Sequence, residues 1–277
     1  MREMTIRELQ QVSLDILKDV HEFCVKNDIH YSLSGGSLLG AIRHNGFIPW
    51  DDDIDIQMPR PDFDKFIHSY KSSNGYEVFS REIPGFDKRG MTYSHGRVCE
   101  MRNTFVDTGI RPWIKEQTGV WIDVLPCDGM PSNRKEAEQH LSRVERLTYQ
   151  TARLGVKNGR WSNFTKGANP KEKILYLIKK MAFIFYMVDP YEELYRLRRK
   201  YDYCKSDYFF AIPHYGMGEW QPKKNMESFI LHKFEDREFY IMSGWDANLR
   251  SLYGDYMQLP PEDKRVTHDF NRYYWKD

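Results

Sequence analysis

The chain has 277 residues, enough for one large domain or two small ones with a substantial hydrophobic core. Its 41 basic and 40 acidic residues nearly cancel, which excludes a disordered chain of uniform high charge and a uniformly basic nucleic-acid binder. No run of about 18 uncharged apolar residues occurs, so we expect no helix that spans a bilayer.

Cysteine spacing and the N-terminal sequence bear on the compartment. The four cysteines are scattered and form no Cys-x-x-Cys pair, which predicts neither a disulfide framework nor a zinc site. The polar N-terminal residues contain no apolar signal region, so we expect a cytoplasmic protein. Residues 132–200 hold 16 Lys or Arg against 7 Asp or Glu, which predicts a basic helical insert, either solvated or facing an anionic partner.

The N-terminal third begins with a predicted helix. Thr5 and Glu8 form a capping box, and apolar residues at spacings of three and four continue one face to about residue 25. A strand at 29–33 and a turn at 34–36 then lead into a second helix over 37–43.

The remaining pattern interleaves strands and helices. Apolar residues at 54, 56 and 58 alternate with polar ones, which predicts a strand with one polar face. The other predicted elements are a helix over 60–71, strands at 76–79, 97–101 and 120–125, a mainly helical section over 133–201, strands at 229–234 and 238–242, and a helix over 246–253.

This order predicts the α/β (or α+β) class, with a mixed sheet flanked by helices and a basic helical insert. We expect a catalytic core over 1–131, the insert over 132–205, and a C-terminal part over 206–277 that completes the catalytic domain.

A Gly-Gly-Ser segment joins the predicted second strand to the second helix. Gly35 and Gly36 allow a ligand to approach the backbone closely, and a helix N-terminus offers free N–H groups. Together with the hydroxyl of Ser37, this segment predicts a phosphate cradle, although an ordinary turn has the same composition.

Three aspartates follow at alternate positions. In a strand, Asp51, Asp53 and Asp55 would project to one face, while Ile54 and Ile56 face the core. Adjacent carboxylates repel one another, so this arrangement favours a divalent cation, Mg²⁺ or alternatively Mn²⁺. A solvated acidic loop is the alternative for the aspartates alone, but the combination with the glycines indicates an enzyme that acts on a nucleotide diphosphate.

Residues 31–66 closely resemble the signature of the LicD family, which includes the related domains of fukutin and fukutin-related protein. Residues 35–66 of this stretch read GGSLLGAIRHNGFIPWDDDIDIQMPRPDFDKF, in which Ser37 and Phe63 replace the Thr and Tyr that are usual in the family. A second similar stretch begins at Tyr253 and includes Asp255, and a third contains Asp123. Departures after Phe234 and at Met242 concern details of the C-terminal strands.

The resemblance implies a nucleotidyltransferase-like fold and transfer of phosphorylcholine, or a related phospho-alcohol, from a CDP-linked donor such as CDP-choline. The acceptor would be a hydroxyl of teichoic acid or lipopolysaccharide, either free or lipid-linked, and CMP would leave. Asp53 and Asp55 match the family's Asp-x-Asp pair, and Asp123 is the candidate third acidic residue, to complete the metal site or to accept the hydroxyl proton. For Asp123, a strand-edge residue facing water is the alternative. The expected metal ligands are Asp51, Asp53, Asp55 and Asp123.

Other residues near the motif are candidate contacts for the substrate. Each also has a structural alternative, such as a surface salt bridge, a hydrogen-bonded structural role or core packing. These candidates are Arg43, His44, Trp50, Arg97, Tyr253 and Asp255. Choline would need aromatic faces, for which Tyr93, Trp113, Trp121, Tyr215 and Trp220 are available.

Residues 174–188 are apolar except for two lysines and too short to span a membrane. They predict either a buried helix with snorkelling lysines or a helix that lies on an anionic membrane surface.

Two other activities and one non-catalytic function share parts of this pattern. A metal-dependent glycosyltransferase also uses an Asp-x-Asp pair but does not require the preceding Gly-Gly-Ser segment. A phosphatase of the haloacid-dehalogenase type would place Thr or Val where this chain has Gln57. A glycan-binding module with a relic site would not need all the carboxylates that are present.

Overall fold

The computed structural model describes most of the chain, and the statements below concern that part. The described residues are 1–83, 94–107, 118–158, 190–265, 267 and 271–277, together with positions 170, 171, 173, 174, 177, 178 and 181. The side chains of residues 152–158 are not included.

The longer helices have the following bounds: α1 (Ile6–Lys26), α2 (Gly35–His44), α3 (Arg60–Ser69), α4 (Arg134–Asn158), α5 (Tyr191–Arg198) and α6 (Trp245–Tyr253). The predicted capping box of α1 is confirmed. The Glu8 N–H donates to the Thr5 hydroxyl (3.3 Å), and the Thr5 N–H donates to the Glu8 carboxylate (2.9 Å). Short 3₁₀ helices lie at Tyr203–Lys205, Pro213–Glu219, Lys223–Met226 and Glu262–Lys264.

The strands have the following bounds: β1 (Arg2–Glu3), β2 (Ser32–Leu33), β3 (Asp55–Pro59), β4 (Glu77–Phe79), β5 (Gly96–Cys99), β6 (Thr104–Asp107), β7 (Trp121–Met130), β8 (Tyr208–Phe210), β9 (Gln221–Pro222), β10 (Phe229–Phe234), β11 (Arg237–Met242) and β12 (Arg272–Trp275).

The main sheet is mixed and confirms the predicted α/β class. Its order is β2-β3-β7-β5-β4, and β8 and β9 extend it beyond the second half of β7. Strands β3 and β7 run parallel, while β2 pairs with β3, and β5 with β7, in antiparallel fashion. A smaller antiparallel sheet has the order β1-β12-β6, and β10 and β11 form a hairpin. Because β3 and β7 are parallel neighbours, residues at the starts of both strands meet at one edge.

The core lies between the main sheet and the helices that cover it. Helices α1 and α3 both contact β7. Ile16 and Leu17 of α1, Phe63 and Phe66 of α3, and Val124 of β7 are all fully buried. Each such side chain contributes about 1.5–3 kcal/mol through burial, so this packing fixes the central strands that carry the site.

A buried ion cluster links α5 to the sheet. Asp128 of β7 accepts from the Nε atoms of both Arg60 and Arg198, each at 2.6 Å. The same Arg198 donates to the carbonyl oxygens of Pro126 (3.0 Å) and Ala211 (2.8 Å). These bonds join the end of the basic section to the core, while the domain boundaries remain a prediction.

The apolar segment 174–188 lies mostly outside the described residues. Four of its positions are described as helical, and their side chains are exposed rather than buried; they are Ile174, Leu177, Ile178 and Met181. The interpretation as a buried helix is therefore wrong at these positions. In the part of the chain that the structure describes, no helix has both the length and the apolar character needed to cross a bilayer.

Candidate active site

The acidic run lies at the start of the parallel strand pair. Of the three aspartates predicted to share a strand, only Asp55 belongs to β3, while Asp51 and Asp53 lie in the preceding loop. The strand prediction is wrong for these two because a turn, closed by a bond from the Asp51 N–H to the Ile48 carbonyl (2.9 Å), extends to position 51. The predicted alternation is nevertheless present: the three aspartates are partly exposed, whereas Asp52 and the other residue between them are buried.

The two glycines form the first turn of α2 rather than a separate turn before it. The helix begins at Gly35, and Ser34 occupies the N-cap in an extended conformation. The Ser34 N–H donates to the Asp55 carbonyl (2.9 Å), and the Asp55 N–H donates to the Ser37 hydroxyl (2.9 Å). These two bonds hold the start of α2 against the start of β3. The N–H groups of the first turn, which have no acceptor within a helix, therefore lie beside the aspartates.

Gly36 is favoured by a close approach and Gly35 by its backbone conformation. A Cβ atom at Gly36 would lie 2.6 Å from Oδ2 of Asp51, which is a clash. A Cβ atom at Gly35 would lie 3.4 Å from Oδ2 of Asp55 and 3.7 Å from the hydroxyl of Tyr253. Gly35 also has a φ of +51°, which favours glycine. The backbone of α2, two carboxylates and one tyrosine thus meet in a small volume.

The carboxylates form a cluster with mutual repulsion. Asp51, Asp52 and Asp53 each offer a carboxylate oxygen, and these oxygens lie within 4.8 Å of one another. Burial raises the pKa of Asp55 well above its ordinary value, and the charges of Asp53, Asp123 and Asp51 raise that pKa further. Asp52 would point to the opposite face of a regular strand, but its carboxylate belongs to this cluster. An all-oxygen donor set with such repulsion has the chemistry that a hard divalent cation prefers.

Asp123 is the register neighbour of Asp55 across β3 and β7. Its Oδ1 accepts from Nε of Arg97 (2.6 Å) and lies 3.0 Å from Nε2 of His95, while its Oδ2 accepts from Nε1 of Trp121 (3.3 Å). Burial opposes ionisation, but Arg97 and His95 hold the pKa of Asp123 well below its usual range. The alternative of a strand-edge carboxylate that faces only water is therefore wrong.

Arg43 and His44 lie at the other end of α2. Nη1 of Arg43 donates to the carbonyl of Tyr256 (2.8 Å), and its Nε donates to Nε2 of His44 (3.0 Å). Burial lowers the pKa of both side chains. Trp50 is partly buried, with the guanidinium of Arg265 5.6 Å from its ring centroid. Arg43 thus ties α2 to the stretch that begins at Tyr253, which is called the C-terminal motif below. The expected contacts of Arg43, His44 and Trp50 with substrate remain predictions.

The C-terminal motif contributes one residue to the cluster. Tyr253 is the last residue of α6, and its hydroxyl lies 3.1 Å from the hydroxyl of Tyr215. Asp255 is exposed in the loop after α6, and its contact with substrate remains a prediction.

Sequence reasoning missed two residues that hold the site. His95 precedes β5 and reaches Asp123 only because of a strand register that no local pattern reveals. Gln10 of α1 is buried, and its Nε2 donates to the Asp51 carbonyl (2.8 Å). A signal existed for Gln10, because a polar residue there interrupts the apolar row between Ile6 and Leu14.

Comparisons with known proteins agree with this geometry. Residues 28–150 match the family described as "LicD/FKTN/FKRP, nucleotidyltransferase domain". The chain is 31% identical over 277 residues to "Lipopolysaccharide cholinephosphotransferase LicD" of Haemophilus influenzae, covering 99% of each chain. It is 61% identical over 28 residues to "Ribitol 5-phosphate transferase FKRP" of Homo sapiens, covering 10% of this chain and 6% of the relative. The matched family segment includes α2, β3 and β7 and therefore every aspartate of the cluster.

Proposed function

Because the chain belongs to the LicD family and is a phosphotransferase, we propose that it transfers phosphorylcholine from CDP-choline to a hydroxyl of a cell-surface glycan, with release of CMP. The choice of phosphorylcholine and lipopolysaccharide follows the name of the Haemophilus influenzae relative, which is similar along the whole chain. Teichoic acid, which also offers hydroxyl groups, is the second acceptor that we propose to test.

The observation that supports this proposal most is the position of the aspartates against the first turn of α2. The backbone of Gly36 approaches the Asp51 carboxylate so closely that, with a Cβ atom at position 36, one of the two would have to move. N–H groups at a helix N-terminus bind phosphate oxygens, and carboxylates bind the cation that accompanies a diphosphate. We propose that the N–H groups of Gly35, Gly36 and Ser37 bind the donor's phosphates at this place.

The acidic cluster fits a divalent cation. We propose that Asp51, Asp53 and Asp55 hold Mg²⁺, or Mn²⁺ in its place, and that Asp52 and Asp123 support this set. The repulsion that raises the pKa of Asp55 is the physical reason, because a cation would remove it. When bound, such an ion neutralises charge that develops on the attacking and leaving oxygens.

Asp123 had two expected roles, completion of the acidic site or acceptance of the hydroxyl proton. Its ion pair with Arg97 favours the first role, since a carboxylate whose pKa is held low is a weak base. We propose that Arg97 and His95 fix the orientation of Asp123 beside Asp55.

A related phospho-alcohol as the transferred group is the alternative that the comparisons support, because the human relative is named for ribitol 5-phosphate transfer. A glycosyltransferase or a glycan-binding module would not explain the similarity to a cholinephosphotransferase over the whole chain.

We also propose a cytoplasmic protein that works at a membrane surface when its acceptor is lipid-linked. All four cysteines are free, with Cys24, Cys99 and Cys127 buried and Cys204 exposed. Free thiols fit a reducing compartment.

The test is CMP release from CDP-choline in the presence of lipopolysaccharide, with Mg²⁺ or with a chelator. We expect release only with the metal, and a loss of at least about a hundredfold in Asp53→Asn, since this change removes a charge that meets the cation. Asp28→Asn is the matched control, because the Asp28 side chain is 93% exposed. No release from CDP-choline or from any other CDP-linked donor would contradict the proposal.

A further inference from the structure

We propose that Tyr215 and Tyr253 form the wall that receives the trimethylammonium group of choline. This inference rests on the proposed function, and it specifies which aromatic residues distinguish a cationic donor from a neutral one.

The two tyrosines stand beside the aspartates and open to solvent. The hydroxyl of Tyr253 and Oδ2 of Asp55 both lie within 4 Å of the Cβ position of Gly35, so the ring of Tyr253 ends at the acidic cluster. The Tyr215 and Tyr253 rings meet edge to face, with centroids 5.4 Å apart and an interplanar angle of 79°. Tyr215 is 42% exposed, which leaves ring surface available to a ligand.

The backbone beside each tyrosine leaves the ring surface open to solvent. Tyr215 lies in the 3₁₀ segment Pro213–Glu219, where the chain departs from helical angles at Tyr215 and Gly216. A Cβ atom at Gly216 would meet nothing within 4 Å, and the same is true at Gly254, which follows Tyr253. Both tyrosines are therefore bordered by a glycine in open space.

The other aromatic candidates are occupied or lie outside the described residues. Tyr93 and Trp113 are in the latter group. The guanidinium of Arg97 lies 4.1 Å from the ring centroid of Trp121, in the position that a ligand cation would need. Trp220 is stacked on a neighbouring tyrosine at 4.2 Å and donates from Nε1 to the carbonyl of residue 131. Among those of the five candidate aromatics that the structure describes, Tyr215 is thus the one near the aspartates whose ring surface is open to a ligand.

The charge of the site favours a cation there. Burial raises the pKa of Tyr215, and the negative charges of Glu219, Asp55 and Asp51 raise it further, which is the direction expected for a ring in a negative potential. A quaternary ammonium has no N–H group to donate, so it is held by ring faces and by a negative potential rather than by hydrogen bonds. A neutral alditol would gain nothing from either.

The experiment measures the dissociation constants of CDP-choline and CDP by calorimetry with Mg²⁺ and without acceptor, so that no transfer occurs. For Tyr215→Leu we expect CDP-choline to bind about 3- to 30-fold more weakly, the range of a cation–π contact, with CDP unchanged. Tyr215→Phe keeps the ring and should stay within about twofold of the wild type. Tyr149→Leu is the matched control, because Tyr149 is an exposed tyrosine of α4.

The outcomes separate the two proposals. Equal affinities of wild type and Tyr215→Leu for CDP-choline, or equal losses for CDP-choline and CDP, would overturn the choline wall alone. Failure of the wild type to bind CDP-choline would overturn the proposed donor, and this inference with it. Circular dichroism of each variant checks that the fold is retained. A clear loss of CDP-choline affinity in Tyr215→Phe would also overturn the choline wall, because that variant keeps the ring, and this test holds even if the leucine variant does not fold.

Discussion

Gly36 and Asp51 approach each other so closely that a Cβ atom at position 36 would lie 2.6 Å from the Asp51 carboxylate. Because of this contact, whether Gly36→Ala raises or lowers the free energy of unfolding is informative. In the first turn of a helix, alanine is intrinsically better than glycine by up to about 1 kcal/mol. With the carboxylate in place, we expect Gly36→Ala to lower the free energy of unfolding by about 1–2 kcal/mol and to reduce CMP release at least about tenfold.

The control for this prediction is the same substitution in an Asp51→Ala background. There the clashing atoms are gone, so adding Gly36→Ala should leave stability unchanged or raise it. Urea unfolding of the four proteins gives the coupling between the two positions. If the changes in the free energy of unfolding are additive, the side chain at position 36 does not interact with the Asp51 carboxylate.

Asp53 and Asp123 should have opposite effects on stability when a chelator is present. Asp53→Asn removes one of the charges that raise the pKa of Asp55, so we expect a gain of about 0.5–1 kcal/mol. Asp123→Asn breaks the ion pair with Arg97, which is 4% exposed, and we expect a loss of about 3 kcal/mol.

Thermal unfolding in chelator measures both changes, and both variants should lose CMP release under assay conditions. If Asp53→Asn destabilises the protein as much as Asp123→Asn does, repulsion within the cluster is not the dominant local interaction.

The element pattern was predictable, whereas the register that assembles the site was not. Hydrophobic period and capping signals found α1, β3, α3, β10 and α6 within a few residues. The pairing of Asp55 with Asp123 depends on the parallel alignment of two strands that are 68 positions apart, and no local signal specifies it.

Local errors also have physical reasons. Glycine has poor helix propensity, so the sequence predicts a turn at Gly35 and Gly36. In the structure they start α2 because the Asp55 backbone holds the flanking serines. Strand β7 is longer than predicted. Pro126 and Gly129 are typical strand breakers, so the sequence predicts an earlier end, but the strand continues past them and changes its partner from β3 to β8.

Glu219 gives a pH-dependent stability that can be isolated by one substitution. Burial raises its pKa from 4.5 to about 7, although the N–H groups of Ala211 and Ile212 oppose this. Between these two values the folded state keeps a proton that the unfolded state has lost, so this residue costs stability as pH rises through the interval.

In Glu219→Gln this dependence disappears. The stability of the variant relative to the wild type should increase by about 1.4 kcal/mol per pH unit across that interval and then level off. Urea unfolding at intervals of half a pH unit measures it. A difference that stays constant with pH would mean that Glu219 is ionised throughout.

The exposed apolar positions of the basic section predict attachment to an anionic membrane surface. Ile174, Leu177, Ile178 and Met181 are 47–61% exposed, and their spacing is that of one face of a helix. We expect vesicles that contain phosphatidylglycerol to sediment the protein in low salt, because basic residues exceed acidic ones by nine across residues 132–200. Neutral vesicles or higher salt should release it. Ile178→Glu should weaken sedimentation several-fold, while Ile230→Glu, at an exposed isoleucine of β10, should not. If the wild type stays in the supernatant with anionic vesicles in low salt, the predicted attachment of this helix face to a membrane is wrong.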